Sequence, residues 1–286
     1  MSDGLSLRGV AVSVGIALGP AWVMARVRPA GIRRVARAGV ASELRRFGAA
    51  IERAHAELED AIAAAASVPS APLRDILEAH RQLTCDPTLR ARVERLIGDE
   101  LLDAESALQQ VMGGFARTLE TSDGAYLREL AHDIEQVTGY LVDALAGHKP
   151  VAEPPPGVVL VVRDLPPREA LRMRERGVVG LVATRGSATS HTALLARALG
   201  IPAVVGVRDA LTSIETGTPL AVDGFAGVCL VRPSEEQQLR ARARATRFDM
   251  FLRGLADRAH EPLRTADGHA VDLRANIELP SEGSAL

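Results

Sequence analysis

The period of the hydrophobic positions changes twice along the chain. Short apolar, β-branched runs of strand type occupy residues 5–24 and return after residue 157. Between them, residues 40–147 form Ala-, Leu-, Glu- and Arg-rich segments whose apolar residues lie three or four positions apart, the period of an amphipathic helix. The pattern predicts a helical segment inserted into an α/β domain.

The inserted segment contains several helix start and stop signals. One face of the first predicted helix is apolar and carries Leu44, Phe47, Ile51, Ala54 and Leu58. Ser42 is a suitable N-cap for this helix, and the proline-containing residues 67–72 end it. Further helices are predicted to begin at Leu73, Asp86, Asp103 and Ser122. Short loops between such helices favour a bundle of helical hairpins.

Strands and helices alternate after the proline-rich residues 150–156, which form an extended linker. Strands are predicted at residues 158–162, 179–183 and 203–205, and a hairpin at residues 220–231. Helices are predicted at residues 166–174 and 190–199, and a long charged helix at residues 234–259. Because residues 5–24 supply further strands, the α/β domain is predicted to be discontinuous.

The main chemical candidate is His191, which follows a short apolar strand and begins a helix. Thr189 and Ser190 are good N-cap residues, so His191 falls in the first helical turn. The helix dipole and the unpaired amides there favour a neutral, nucleophilic imidazole and stabilise an attached phosphoryl group. The hydroxyls of Thr189 and Thr192 can support ring or phosphoryl oxygens. Spacing alone, however, is more typical of a surface histidine that assists a cap.

A family resemblance favours the chemical interpretation. The segments Thr189-Ser190-His191-Thr192-Ala193 and residues 196–206 resemble the phosphohistidine signature of the phosphoenolpyruvate-utilising family. That family includes Enzyme I of the bacterial phosphotransferase system, pyruvate phosphate dikinase and phosphoenolpyruvate synthase. The resemblance implies that His191 carries the phosphoryl group, with Thr189 as an orienting group. Ser190, Thr192 and Arg197 are the expected phosphate-stabilising residues, although Arg197 is equally well explained as a solvated side chain.

The amino terminus is most similar to Enzyme I. Residues 7–21 resemble its opening strands, which a Gly-Ile-Ala-x-Gly turn links, whereas the dikinase and the synthase begin with a nucleotide-binding region. Lys149 is the one lysine of the chain, and no glycine-rich phosphate loop with a lysine is present. The resemblance implies a discontinuous α/β swivelling phosphohistidine domain with an inserted all-α helical-bundle subdomain. The implied units are residues 1–28 with 148–232, then 29–147, 233–262 as a linker helix, and 263–286.

In Enzyme I the helical subdomain binds HPr, a small phosphocarrier protein with an acceptor histidine. The matching segments here contain the expected partner-binding residues Glu78, His80, Arg81, Tyr126 and Arg128. Taken one by one, charged residues on helices are more often simply solvated. As a group they can orient a transient protein partner through complementary charge.

The last segment sets an expectation about the donor. Residues 267–277 resemble the opening strand of the Enzyme I barrel that binds phosphoenolpyruvate, magnesium and the dimer partner. The rest of that barrel is missing, so we expect this chain not to use phosphoenolpyruvate unaided. We expect no cofactor and no metal site in this segment, magnesium only with the barrel, and a homodimer through the barrel.

Composition narrows the cellular setting. The net charge of −2 argues against nucleic acid as a partner. No apolar run reaches bilayer length and no signal peptide is present, which favours a cytoplasmic protein without a membrane partner. Cys85 and Cys229 lie far apart in the sequence, without metal or redox spacing, and are expected to be unreactive thiols.

Several alternatives stay open. Gly186-Ser187-Ala188 stands where Enzyme I of sugar transport usually has Gly-Gly-Arg, and Ala170 stands where some relatives have a threonine that bonds the active histidine. The group that orients His191 is therefore not predicted. The acceptor can belong to sugar uptake, to a nitrogen-related branch or to a dihydroxyacetone kinase relay. A dikinase-like swivelling module and a purely regulatory phosphorelay protein are the alternatives to an Enzyme I segment.

Overall fold

A computed structural model gives the fold of residues 5–24, 31–65, 71–121, 124–147, 153–258, 262 and 264–271. Its strands are β1 (Leu5–Arg8), β2 (Val10–Ser13), β3 (Ile16–Met24), β4 (Val159–Val162), β5 (Gly180–Ala183), β6 (Ala203–Val205), β7 (Pro219–Asp223) and β8 (Val228–Val231). Its α-helices are α1 (Val40–Ala65), α2 (Ala71–Thr84), α3 (Pro87–Asp99), α4 (Ala104–Glu120), α5 (Ala125–Leu145), α6 (Pro167–Glu175), α7 (His191–Ala198), α8 (Ala210–Ser213) and α9 (Glu235–Asp257).

The strands form one sheet in the order β1-β8-β7-β3-β4-β5-β6-β2. The central strands β3 to β6 pair in parallel, and β4 and β5 are buried along their whole length, as apolar parallel strands are. Strand β3 also pairs with β7 in antiparallel register, so it joins the two halves of the sheet. Because β1 to β3 precede the helices and β4 to β8 follow them, the predicted discontinuous α/β domain is confirmed.

Helices α1 to α5 form the inserted helical part, as the hydrophobic period predicts. Asp86 and Asp103 cap α3 and α4 through their carboxylates, which accept bonds from backbone amides of the first turn. The predicted cap at Ser42 is wrong, because α1 begins at Val40. The boundaries expected at residues 28 and 148 and the helix start predicted at Ser122 lie outside the described residues, as do residues 67–70 of the break predicted at 67–72. Residues 71 and 72 already belong to α2.

The helices and one face of the sheet share a single apolar core. Phe47, Leu77 and Leu108 of the helices lie in the same buried cluster as Leu181 and Leu195 of the α/β part. Burial of each such side chain contributes about 1.5–3 kcal/mol. A second cluster lies on the other face of the sheet. Helix α7 therefore begins at a junction that both parts of the molecule hold in place.

Helix α9 leaves the α/β part as a charged and largely exposed helix. Its amino end has a capping box between Ser234 and Gln237, and none of its residues is buried. Phe248 packs edge to face on Phe225 with ring centroids 4.9 Å apart, which attaches α9 to the sheet side of the molecule. Of the predicted barrel strand, residues 272–277 lie outside the described residues. Among the described helices, none is both long and apolar enough to span a bilayer.

Candidate functional site

His191 is the first residue of α7, at the end of the loop that follows β5. Ser190 precedes it with the extended backbone of an N-cap, at φ −65° and ψ 156°. The Ser190 hydroxyl, however, donates to the carbonyl oxygen of Ser187 at 2.9 Å, and its side chain makes no capping bond. The predicted position of His191 in the first turn is therefore confirmed, while the expected side-chain cap is not formed.

The loop before α7 is held by its own polar groups. Ser187 Oγ lies 3.2 Å from Thr189 Oγ1, and the two hydroxyls are exposed. Gly186 has φ +113°, and a Cβ there would meet Ser190 Oγ at 2.9 Å, so the turn needs a glycine. Thr189 is thus displayed on the same exposed loop as His191, and its orienting role stays a prediction.

Two of the expected phosphate-stabilising residues make structural bonds instead. Arg197 donates from Nε to the Val12 carbonyl at 2.7 Å and from Nη2 to the Ala188 carbonyl at 2.6 Å. Thr192 is buried, and its Oγ1 accepts a bond from the Leu165 amide at 3.2 Å. Both side chains tie the site to neighbouring backbone, and the phosphate-stabilising role expected of Arg197 and Thr192 stays a prediction.

A carboxylate from the helical part faces the ring of His191. Asp133 of α5 places Oδ1 3.2 Å from His191 Nδ1, and the same oxygen lies 3.1 Å from His80 Nε2 of α2. An ionised carboxylate can only accept hydrogen bonds, so its position favours a proton on each of the two ring nitrogens that face it. For His191 this leaves Nε2 as the ring nitrogen that does not face the carboxylate. Asp133 is therefore a candidate for the group that orients the ring.

Asp133 is strongly held as a carboxylate. Burial alone raises its pKa, but hydrogen bonds from His191 and His80, together with their charges, outweigh this and lower the pKa to about 2. The carboxylate also stabilises the proton on His191 Nδ1, and in that respect it opposes the effect of the helix dipole on the ring. The dipole therefore does not act alone on the charge of this imidazole.

His80 differs from the prediction. Its side chain is 0% exposed and its Nδ1 lies 3.4 Å from the hydroxyl of Tyr140. The expectation that His80 contacts a partner is therefore wrong, because burial leaves it no surface to offer. Glu78 and Arg81, one turn apart on α2, stay partly exposed and bond to each other at 2.6 Å. Tyr126 and Arg128 lie in α5, but their side chains are outside the described part.

A second pair of groups lies beside the site. The His132 ring is 6.3 Å from the His191 ring, between centroids, and its Nε2 lies 3.9 Å from Asp164 Oδ1. Burial raises the pKa of Asp164 despite the nearby charges of His132 and two arginines. Gln136 and Asp164 also line a cavity of about 450 Å³, of which His191 is not a lining residue.

Ion pairs join the α/β part to the helices around the site. Arg168 of α6 is buried, bonds to Glu57 of α1, lies 3.7 Å from Asp143 of α5 and stacks over the Tyr140 ring at 4.6 Å. Arg185, at the start of the loop before α7, donates to Glu135 at 2.9 Å. These bonds fix the distance between α5 and α7, and thereby the contact of Asp133 with His191.

The sequence carries little signal for Asp133. It lies 58 positions before His191 (191 − 133), in another structural part, and its neighbours in the sequence suggest only a polar helix face. Among the described residues, no group of three or more His, Cys, Asp or Glu side chains is arranged to hold a metal ion. The arrangement is instead that of an oriented imidazole at a helix amino end, which suits nucleophilic group transfer.

Family models match two segments of the chain. Residues 8–129 match the model described as PEP-utilising enzyme, N-terminal, and residues 154–227 match PEP-utilising enzyme, mobile domain. His191 lies in the second match. The first match covers α1 to α4 and the start of α5, and the second covers the segment around His191.

Curated relatives agree with these matches. A phosphoenolpyruvate-protein phosphotransferase of Priestia megaterium is 32% identical over 279 residues, covering 96% of this chain and 48% of the relative. One of Bacillus subtilis (strain 168) is 31% identical over 281 residues, covering 96% of this chain and 49% of the relative. The chain thus spans about half the length of the curated relatives it matches.

Solved structures place the similarity in the same part. An NMR structure of an Enzyme I protein is 32% identical, with a TM-score of 0.68 over 85% of this chain and 99% of that one. The N-terminal domain of a nitrogen Enzyme 1 is 26% identical, with a TM-score of 0.57 over 83% of this chain and 98% of that one. The resemblance predicted from the sequence is confirmed. The chain belongs to the phosphoenolpyruvate-utilising enzymes and contains the N-terminal and mobile domains of that family.

Proposed function

We propose that this chain is the phosphoryl-carrier portion of a phosphoenolpyruvate-protein phosphotransferase. In this proposal His191 accepts a phosphoryl group and passes it to the histidine of an HPr-like protein. The observation that supports it most is the contact of His191 Nδ1 with Asp133, 3.2 Å away at the amino end of α7. This contact leaves the opposite ring nitrogen, Nε2, to form a bond to phosphorus.

The proposed step is a direct displacement. The lone pair of Nε2 attacks phosphorus while the bond to the leaving group breaks, and its electron pair departs with that group. The proton on Nδ1 stays in place throughout. In the second step the acceptor imidazole attacks the same phosphorus, and the P–N bond electrons return to Nε2. Positioning matters more than covalent assistance in such a loose transition state.

Two electrostatic effects support the transfer, one acting on the His191 ring and the other on the phosphoryl oxygens. Asp133 faces Nδ1 and stabilises the positive charge that the ring gains as the P–N bond forms. The amino end of α7 presents backbone amides and a positive dipole to the phosphoryl oxygens. The exposed hydroxyl of Thr189 is a further donor on the same loop, and Ser190 contributes through its backbone.

We assign acceptor docking to the helical part. Glu78 and Arg81 present one carboxylate and one guanidinium on the partly exposed face of α2. Tyr126 and Arg128 of α5 are the other proposed contacts. A surface with both charge signs orients a transient partner and speeds encounter more than it strengthens binding. We therefore expect weakened, salt-sensitive transfer when Glu78 and Arg81 are exchanged for each other's charge.

The part of the relatives that this chain does not match is the basis of a wider proposal. We assign the binding of phosphoenolpyruvate, the magnesium requirement and homodimer formation to the part of the relatives' length that this chain does not span. The proposed setting is a cytoplasmic phosphotransferase system, of which sugar transport is one branch. This segment alone should then exchange phosphate with a phosphorylated acceptor, and should not take it from phosphoenolpyruvate.

Incubation with a phosphorylated HPr-like protein, followed by intact-mass analysis, tests the proposal. The wild-type chain should gain one phosphoryl group, His191→Gln should gain none, and His269→Gln should behave like wild type because His269 is exposed and lies outside the site. No gain on the wild-type chain, or an equal gain on His191→Gln, contradicts the proposed carrier role. A gain from phosphoenolpyruvate alone contradicts the assignment of donor binding to a separate domain.

A further inference from the structure

A second oriented side-chain cluster lies away from His191, at the far end of the first helical hairpin. Cys85 follows the last residue of α2, and its thiol is exposed. Its Sγ lies 3.1 Å from Nδ1 of His55 in α1. The Nε2 of His55 lies 3.2 Å from Oε1 of Glu59, one turn further along α1. The three side chains thus form a line of carboxylate, imidazole and thiol.

The line has a defined proton arrangement. Glu59 accepts the proton of His55 Nε2, which leaves the lone pair of Nδ1 directed at the thiol of Cys85. A base within hydrogen-bond distance of a thiol, itself oriented by a third group, is the arrangement that activates a cysteine nucleophile.

Cys229 provides an internal comparison. It lies in β8 with its side chain buried, and burial raises its pKa to about 12. Burial therefore disfavours the thiolate form of Cys229. The expectation of two unreactive thiols suits Cys229, whereas the surroundings of Cys85 point the other way.

We propose that Cys85 is a reactive thiol that undergoes exchange with low-molecular-weight disulfides, with His55 as the base and Glu59 as the residue that positions it. His55 Nδ1 takes the thiol proton as the Cys85 sulfur attacks one sulfur of the disulfide. The S–S bond breaks, and the leaving thiolate takes the proton from His55. The products are a mixed disulfide on Cys85 and one free thiol. The overall exchange consumes neither oxidant nor reductant beyond the disulfide.

The position of Cys85 gives the modification a defined place. It lies in the short connection between α2 and α3, immediately before the capping residue Asp86. A group attached there projects into solvent beside Arg81, four residues back on α2. The chemistry of the exchange does not involve His191, so it is tested without any phosphoryl transfer and stands apart from the proposed function.

The test uses the whole chain and an aromatic disulfide reagent whose released thiolate absorbs visible light. We expect one fast equivalent per chain, which Cys85→Ser removes. His55→Gln should slow that phase at least about tenfold near neutral pH, because the base is lost. Glu59→Gln should slow it by a smaller factor, about twofold to threefold. Glu52→Gln, an exposed change of the same charge on the same helix, should leave the rate unchanged.

A pH series distinguishes a role of His55 as a base from a purely structural role. The ratio of the wild-type rate to the His55→Gln rate should grow as pH falls from about 8 to about 6.5, because the uncatalysed path depends on spontaneous thiolate formation. Circular dichroism confirms that each variant is folded. Equal rates for wild type and His55→Gln across this range, or a fast phase that survives Cys85→Ser, would overturn the proposal.

Discussion

Two histidines bind the same carboxylate oxygen, and only one of them is placed to do chemistry. His191 begins α7, is 16% exposed and faces Asp133 with Nδ1. His80 lies within α2, is 0% exposed and faces the same oxygen with Nε2. The remaining nitrogen of His80 points to Tyr140, whereas that of His191 belongs to a partly exposed ring. The same carboxylate oxygen therefore faces the proposed carrier on one helix and a packed side chain on another.

This difference shows that the contact with a carboxylate does not decide the chemical role of a histidine. The exposure of the ring and the backbone around it decide that role, because a helix amino end offers amides to a phosphoryl group and a helix interior offers none. His80 nevertheless bears on the proposed carrier, because it contacts the same oxygen of Asp133 that faces His191. We therefore expect different consequences when the Asp133 side chain, its charge or the buried His80 ring is changed.

Loss of the shared carboxylate should have the largest effect. Asp133→Asn keeps the size of the side chain but removes the charge that stabilises the protonated Nδ1 during transfer. We expect phosphorylation of His191 by the phosphorylated acceptor to slow by about a hundredfold or more, the range found for an oriented acid–base group. Rapid-quench kinetics on the intact chain measures this rate.

The matched control is Asp249→Asn, an exposed change of the same chemistry on α9. It should leave the transfer rate within about twofold of wild type, since surface charges away from a site contribute little. Equal rates for Asp133→Asn and wild type would show that the 3.2 Å contact does not orient the ring during the reaction.

The next effect concerns stability against acid. The pKa of Asp133 is lowered from 3.8 to about 2 in the folded chain. A lowered carboxylate pKa contributes stability above its ordinary value and loses it as pH falls through the folded value. We expect about 2 kcal/mol of unfolding free energy to be lost between about pH 4 and pH 2 through this group. Denaturant unfolding of wild type against Asp133→Asn across that window measures it; parallel curves would refute the assignment.

The smallest predicted effect is a difference in the free energy of unfolding between variants of His80 and His191. His80→Gln removes a buried ring and leaves Asp133 and Tyr140 with poorer partners, which should cost about 1–2 kcal/mol of unfolding free energy more than His191→Gln. Both variants are compared by urea unfolding at neutral pH. If His191→Gln proves the more destabilising change, the division into a surface carrier and a buried support is wrong.

The sequence predicts much of this architecture because local patterns dominate it. The apolar face of α1, the aspartate cap of α3 and the buried runs of β4 and β5 each follow from residues close together in the chain. The same is true of His191, whose place at the start of a helix that follows a strand is a local feature. The family signature around it adds the chemistry that spacing alone does not indicate.

The rest depends on contacts between distant segments. Asp133 meets His191 only because α5, which packs on α1, α2 and α4, lies beside the start of α7. Arg168 of α6 supports this arrangement, 3.7 Å from Asp143 of α5. His80 lies on a stretch whose polar residues suggest a docking face, but the ring turns inward to Asp133. Neither the period of a helix nor the charge of a residue reveals which long-range partner it finds. These are the points at which the structure corrects the sequence analysis.

The most direct test of the account is the chemical form of the phosphorylated chain. Long-range proton–nitrogen NMR of the chain, labelled with ¹⁵N and phosphorylated by an HPr-like protein, identifies the modified residue and the modified ring nitrogen. The account predicts phosphorus on Nε2 of His191, with the proton retained on Nδ1 beside Asp133. Phosphorus on Nδ1 of His191, or on any other side chain, would contradict it.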